Sequence, residues 1–309
     1  MKQIRNIVLL LLSFSIAVGC KKDAEPKKVL DHSFSVITKL LLEKSGIVSE
    51  VYKDTTIVIA KGVEETEVHF LKMDGYTTHA YILKVDLKTP GLSAKVATPY
   101  DSPAYGGQTI PEMAKYLEDA NHKVLAGTNG DFYDIANFVP RGPLHKNGVV
   151  LKGTFTGTAA LAQQALSFIG ILDDGKPYIG YKQEYDTYKS RLKEATGGGV
   201  LLMKNGEKVN NSQFGALDPR IAIGYTSDQI MYFVVVDGRD FYHSSGATYA
   251  DLTGIFYALG TEAALNLDGG GSATMMIRNP LADVWHVKNH PTDGRPRAVS
   301  NGWMIIATP

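Results

Sequence analysis

The apolar positions of this chain change their period several times, and each change marks an element. Ile7 to Val18 is an almost unbroken apolar run, interrupted by Ser13 and Ser15. It is too short for the roughly 20 apolar residues that span a bilayer. Residues 21–28 are all polar or small, cannot bury apolar area and read as a tether. From Val29 to Lys44 the positions Leu30, Phe34, Ile37, Leu40 and Leu41 recur at spacings of three and four, the mark of an amphipathic helix.

Beyond that the pattern turns to alternation. Thr56–Ala60, Glu67–Met73, His79–Asp86 and Ser93–Ala97 are rich in β-branched and aromatic residues and are separated by Gly62, Asp74-Gly75 and Pro90-Gly91, which predicts hairpin strands. Thr109-Ile-Pro-Glu112 is a capping box ahead of Met113, Leu117 and Ala120 and predicts a helix before a strand at Lys123–Thr128. Thr248-Tyr-Ala-Asp251 opens a second helix through Leu252, Ile255, Phe256 and Leu259, closed by Gly260. Further strands are expected at Arg220–Tyr225, Ile230–Val236, Ala263–Leu267, Ala273–Ile277 and Trp303–Ala307. With no internal repeat and no Pro/Ser-rich linker after about Val51, the expectation is a single α+β domain over residues 51–309. Its core would be a mixed, largely antiparallel β-sheet flanked by helices, with residues 29–50 as an N-terminal helical appendage.

Charge and cysteine content narrow the classes. Lys2 and Arg5 precede the first apolar run, which ends in Ala17-Val18-Gly19-Cys20, small residues before the one cysteine of the chain. This arrangement resembles the lipobox of bacterial lipoproteins. It implies a signal peptide at 1–19, lipidation of Cys20, a tether at 20–28 and export to a bacterial membrane. The chain carries 32 basic and 32 acidic residues, so it lacks the electrostatic footprint of a nucleic-acid binder. A single cysteine excludes an intramolecular disulfide and a thiolate metal site, leaving stability to the hydrophobic core.

The candidate chemistry lies in polar, glycine-dense segments, several of which follow directly on an expected strand. They are Asn129-Gly-Asp-Phe-Tyr133, Thr196-Gly-Gly-Gly199, Asp237-Gly-Arg239 and Asn266-Leu-Asp-Gly-Gly-Gly-Ser272. A strand end fixes its backbone, and glycine admits a ligand or another backbone at short range. Asp237 and Asp268 are thus expected at the rim of the sheet, with Arg239 near enough to meet an anion through its planar fork of donors.

These segments, with Pro219-Arg-Ile-Ala-Ile-Gly224, the continuation of the Thr196 segment to Gly206, and Arg297-Ala-Val-Ser-Asn301, follow one another in an order that resembles the phosphodiester glycosidase family. The resemblance covers roughly Tyr76 to Pro309, and Asn266-Leu-Asp-Gly-Gly-Gly-Ser272 is its most specific element. It implies hydrolysis of a sugar-1-phosphodiester at the anomeric carbon, giving free sugar and a phosphate monoester. Chemistry there calls on carboxylates, because the transition state resembles an oxocarbenium ion. Asp268 is the first candidate, Asp131 the second and Asp237 the third. The backbone N–H groups of Gly269, Gly270 and Gly271 form a possible anion nest. Arg220, Arg239 and Arg297 are candidates for the phosphodiester, with Arg220 and Arg297 favoured and each weighed against a salt bridge with Asp218, Asp237 or Asp240. Asn129, Gly198, Gly199, Asn266, Ser272, Thr274 and Asn301 complete the substrate-binding set, as hydroxyl-recognising or loop-fixing groups.

The eight histidines, among them His145, His243, His286 and His290, form no short-spaced transition-metal motif. An oxygen-only set of Asp131, Asp237 and Asp268 suits calcium or another hard divalent cation. The aromatics Phe132, Tyr133, Tyr242, Tyr249, Trp285 and Trp303 fit either a sugar-stacking or a packing role. Two other functions stay open at this level: a metal-dependent phosphodiesterase that breaks the P–O bond, and a non-catalytic glycan-binding lipoprotein. The anchor has its own test. Cys20→Ala is expected to move the protein out of the detergent-extracted membrane fraction, or to leave an uncleaved precursor, because a pair of acyl chains supplies most of the membrane affinity. Unchanged maturation and partitioning would remove the lipoprotein reading.

Overall fold

A computed structural model describes residues 34–308, so the expected signal, Cys20 and the tether lie outside the described residues. Three antiparallel sheets make up the domain. The largest has eight strands in the spatial order Val48–Ala60, Val63–Lys72, Thr77–Asp86, Ile230–Val236, Arg220–Tyr225, Ala263–Asn266, Leu201–Lys204 and Glu207–Lys208. A five-stranded sheet runs Val149–Lys152, Leu144–Lys146, Leu192–Gly198, Ser167–Leu172 and Pro177–Tyr181. The other runs Trp285–Val287, Met275–Arg278, Lys123–Asn129, Gly302–Ala307 and Leu92–Ala97. The expected α+β class holds, and the pairings between these strands are all antiparallel, with no parallel element of a mixed sheet.

Period-2 alternation explains why the central strands read as continuous apolar runs. In Ile230–Val236, Met231, Phe233 and Val235 face a core shared by all three sheets, while Tyr232, Val234 and Val236 face a second core beneath the helices. Both faces are covered, so neither is polar. The second core is closed by the helix Tyr249–Ala258 through Leu252, Ile255 and Phe256. Its capping box forms as expected, with Thr248 Oγ1 accepting from Asp251 N at 3.0 Å and Thr248 N donating to the Asp251 carboxylate at 2.8 Å. The Thr109 box also forms, and its helix Ile110–Leu117 packs Ile110, Met113 and Ala114 on Met276, Met304 and Ile306.

Two expectations change here. The expected 29–50 helix occupies Val36–Leu40, runs on through a π-helical turn at Leu41–Ser45 and stops at Gly46, whose φ of 72° suits glycine. The chain is in a strand from Val48. The helix is also no appendage, since Ile37 and the fully buried Leu41 belong to the second core. The other change concerns residues 144–198, where a whole sheet forms that periodicity did not reveal. Thr196, Gly197 and Gly198 lie inside one of its strands and do not follow one. Trp303 is a core residue, fully buried, and its indole N–H donates to Thr196 Oγ1 at 3.0 Å, tying two sheets together.

Packing of the helix yields a direct test. Leu41→Ala is expected to cost about 2–5 kcal/mol in the main unfolding transition, measured by urea denaturation, as for other fully buried leucines. A change below about 0.5 kcal/mol is what a detached appendage would give.

Candidate active site

The strands Lys123–Asn129 and Ala263–Asn266 deliver their following loops to one place, where Asp268 N donates to Gly130 O at 3.0 Å. Asn129 clamps the arrangement: its Nδ2 donates to Asp268 O at 2.6 Å and its Oδ1 accepts from Thr274 N at 3.0 Å. Asn301 does the same for the other loop, accepting from Asp131 N at 2.9 Å through Oδ1 and from Gly130 N at 3.0 Å through its carbonyl. Asn266 Nδ2 donates to Leu267 O at 2.7 Å, and Thr274 Oγ1 to Ser272 O at 3.1 Å. All four side chains are buried. Of the two roles expected for them, the hydrogen bonds are those of loop fixing. Gly198 and Gly199 are buried too; Gly199 donates to Asn266 O and accepts from Ser167 Oγ.

Asp131 is 1 % exposed. Its Oδ2 accepts from Gly142 N at 2.6 Å, while its Oδ1 is buried with no hydrogen-bond partner among the described residues. A Cβ on Gly197 would lie 2.5 Å from that Oδ2 and 2.5 Å from Gly142 Cα, so glycine there is the condition for Asp131 to sit where it does. Burial pushes the Asp131 carboxyl up to about 7; the Gly142 N–H and Lys152 oppose the rise, and the nearby Asp268 charge adds to it. Asp268 is half-buried and is also pushed up to about 7 by burial, partly opposed by a hydrogen bond from Ser272 and by the Arg297 charge. Two neighbouring carboxyls thus titrate near neutrality.

A cavity of about 330 Å³ opens beside Asp268, with Gly269, Gly270, Gly271, Arg220, Arg239 and Arg297 in its wall. The glycines admit close neighbours. A Cβ on Gly269 would meet Pro219 O at 2.5 Å, and one on Gly271 would meet the Arg297 guanidinium. The expected three-donor nest is reduced, because Gly270 N donates to Pro219 O at 2.8 Å. Arg239, which holds a φ of 62°, donates through Nε to Asp218 at 2.8 Å, and Arg297 donates to Asp293 at 2.8 Å. Arg220 differs. It is buried, its guanidinium lies 4.3 Å from the Tyr249 ring, and its donors go to Ala247 O, Ala216 O and Tyr249 Oη, all uncharged. Among the described residues it is therefore the cavity's arginine without a carboxylate hydrogen-bond partner.

The cavity wall also contains Phe132, Tyr249, Asp218, Gln163 and Gln164. The two glutamines lie between strands in a segment without periodicity, and no sequence signal marks them. Tyr242 is 90 % exposed and outside this wall. Asp237 stands elsewhere, in a second cavity of about 600 Å³ that shares Arg239 with the first. Asp237, Asp131 and Asp268 do not assemble as one oxygen-only set. Among the described residues, the one group of three side chains with metal-ligand spacing is His79, Asp237 and His243. This group was missed because strand register sets His79 opposite Asp237 and the turn between Asp240 and Ser244 returns His243 to it, neither of which a short-spaced motif records.

Comparison with known proteins identifies the family and the fold. The phosphodiester glycosidase family profile matches residues 122–306, which hold both carboxylate loops and all three arginines. A prophage-derived uncharacterised protein of Bacillus subtilis, YomE, is 38 % identical over 162 residues; the match takes in 50 % of this chain and 23 % of that protein's length. The catalytic domain of zebrafish N-acetylglucosamine-1-phosphodiester alpha-N-acetylglucosaminidase, auto-inhibited by its pro-peptide, superposes with a TM-score of 0.60 at 19 % identity, covering 82 % of this chain and 88 % of that one. A hypothetical protein from Synechocystis gives a TM-score of 0.62 at 14 % identity over 83 % of this chain and 64 % of that one. At such identities the superpositions speak for the fold. With the profile matching more than half of its length, the chain belongs to the phosphodiester glycosidase family.

Proposed function

We propose that this protein is a glycosidase-type hydrolase that cleaves the anomeric C–O bond of a sugar-1-phosphodiester, releasing free sugar and a phosphate monoester. The observation that carries the reading is the pairing, in one cavity wall, of Asp268 with the carboxylate-free guanidinium of Arg220. A phosphodiester brings one negative charge, for which Arg220 is the natural partner; Arg239 and Arg297, already paired with Asp218 and Asp293, shape the site around it. Asp268, ionised, stabilises positive charge growing at the anomeric carbon or activates the water that attacks it. Phosphate is a good leaving group, so protonation of the departing oxygen matters less than in hydrolysis of an ordinary glycoside. The Ala17-Val18-Gly19-Cys20 run supports a location outside the cytoplasm, on a membrane facing glycan phosphodiesters.

Asp268→Asn retains the shape and removes the charge. Turnover on an N-acetylglucosamine-1-phosphodiester is expected to fall by at least about two to three orders of magnitude. A folded Asp268→Asn protein with near wild-type kcat would exclude the assigned role. Arg220→Lys keeps the charge but loses the bonds to Ala216, Ala247 and Tyr249, and is expected to raise KM more than it lowers kcat.

The buried carboxyls also set a pH dependence. Asp131 titrates at about 7 in the folded chain against a normal 3.8, so between those values the folded state holds a proton that the unfolded state releases. Stability contributed by this group is therefore complete below about pH 4 and lost as pH rises through about 7. At about 1.4 kcal/mol per pH unit the loss is roughly 4 kcal/mol at most. Asp131→Asn is expected to flatten this decline, read as urea midpoints at pH 5 and pH 8; an unchanged slope would show that Asp131 is ionised in the fold throughout.

A further inference from the structure

We propose that the buried His79, with Asp237 and His243 of the 600 Å³ cavity's wall, binds one divalent transition-metal ion of zinc-like preference. One ligand atom from each lies within 4.8 Å of the others. The site is a product of strand register. Val236 pairs with Ala80, so Asp237 falls opposite His79, and Asp237 N donates to His79 O at 3.1 Å. On the neighbouring strand, Glu67 pairs with Tyr81, two residues along the same face. The stripe that supplies Tyr81, Phe233 and Val235 to the central core thus ends in polar ligands.

His79 is the strongest evidence. It is 7 % exposed, and its Nε2 lies 2.9 Å from Glu67 Oε1. Glu67 also accepts from the ammonium groups of Lys53 at 2.6 Å and Lys288 at 2.9 Å, so it is an ionised acceptor and the imidazole proton resides on Nε2. That leaves a lone pair on Nδ1, which is buried without a hydrogen-bond partner among the described residues. A carboxylate that fixes one imidazole nitrogen while the other waits for a cation is the usual outer-shell arrangement of a metal histidine. Asp237 is held by Asn289 Nδ2, His290 N and Tyr81 Oη. His243 reaches it from the cavity side, Nε2 to Oδ2 at 3.0 Å, with its side chain 27 % exposed. The fourth position faces the cavity, where water or the exposed His290, whose ring centroid is 4.6 Å from that of His243, completes a tetrahedral shell. Two imidazoles and one carboxylate select zinc-like ions; calcium takes six to eight oxygens.

The test needs no substrate, so it is independent of the proposed hydrolysis. Tag-free full-length protein is stripped with chelator and titrated with Co²⁺ and then Zn²⁺. One Co²⁺ per chain with the intense visible bands of a four-coordinate ion, displaced by Zn²⁺, is expected. His243→Asn, a half-buried change that leaves the core intact, should weaken Zn²⁺ binding by at least about a hundredfold and abolish the Zn²⁺-dependent rise in Tm. Glu67→Gln should weaken it by about 10–100-fold through loss of the imidazole's partner. Absence of stoichiometric binding, Zn²⁺ affinity in His243→Asn equal to wild type, or a preference for Ca²⁺ over Zn²⁺ would each overturn the proposal.

Discussion

The candidate active site depends on one side chain whose hydrogen bonds both go to the backbone of a single loop. Asn129 binds the carbonyl of Asp268 with its amide N–H and the N–H of Thr274 with its oxygen, closing the loop from 268 to 274 onto the end of a core strand. A buried amide must satisfy both ends, and here both partners are backbone groups of the same loop. Breaking the clamp frees the loop and leaves unpaired polar groups inside the protein. The loop therefore has one conformation, and in it a Cβ on Gly269 would meet Pro219 O at 2.5 Å, Gly270 holds a φ of 58°, and Gly271 lies against the Arg297 guanidinium. Asn301 imposes the same discipline on the Asp131 loop.

From that constraint follow the electrostatics. Loops fixed at the ends of buried strands hold their carboxylates where water is scarce, and both Asp131 and Asp268 rise to about 7. The cost of burial falls on the carboxyls. The cations around them are divided: Arg239 and Arg297 are paired with Asp218 and Asp293, and Arg220 is hydrogen-bonded to neutral groups. Under the proposed hydrolysis, an anionic substrate would meet the Arg220 guanidinium with its anomeric carbon beside Asp268.

Much of this was legible in the sequence, for reasons that can be named. Arg220–Tyr225 and Ile230–Val236 form strands with the expected bounds, because their apolar runs are buried on two faces. Both capping boxes act over three residues and can be read locally. Glycine-dense segments marked the Asp268 loop because close approach leaves a compositional trace. The sheet at 144–198 left less trace: its strands are short and Gly170, Gly180, Gly197 and Gly198 interrupt the hydrophobic pattern. His79 stands far from Asp237 and His243 in the chain and meets them through register with Asp237 and the turn that follows it, which no spacing rule records. The roles of Arg220 and Arg297 depend on which carboxylate each meets, a tertiary fact.

Bond identity is the most direct test of the central claim. Full-length enzyme is incubated with an N-acetylglucosamine-1-phosphodiester in water enriched in heavy oxygen, and the products are weighed by mass spectrometry. Attack at the anomeric carbon predicts the label in the released sugar and none in the phosphate monoester. Label in the phosphate would mean that the P–O bond is the one broken, and would contradict the account.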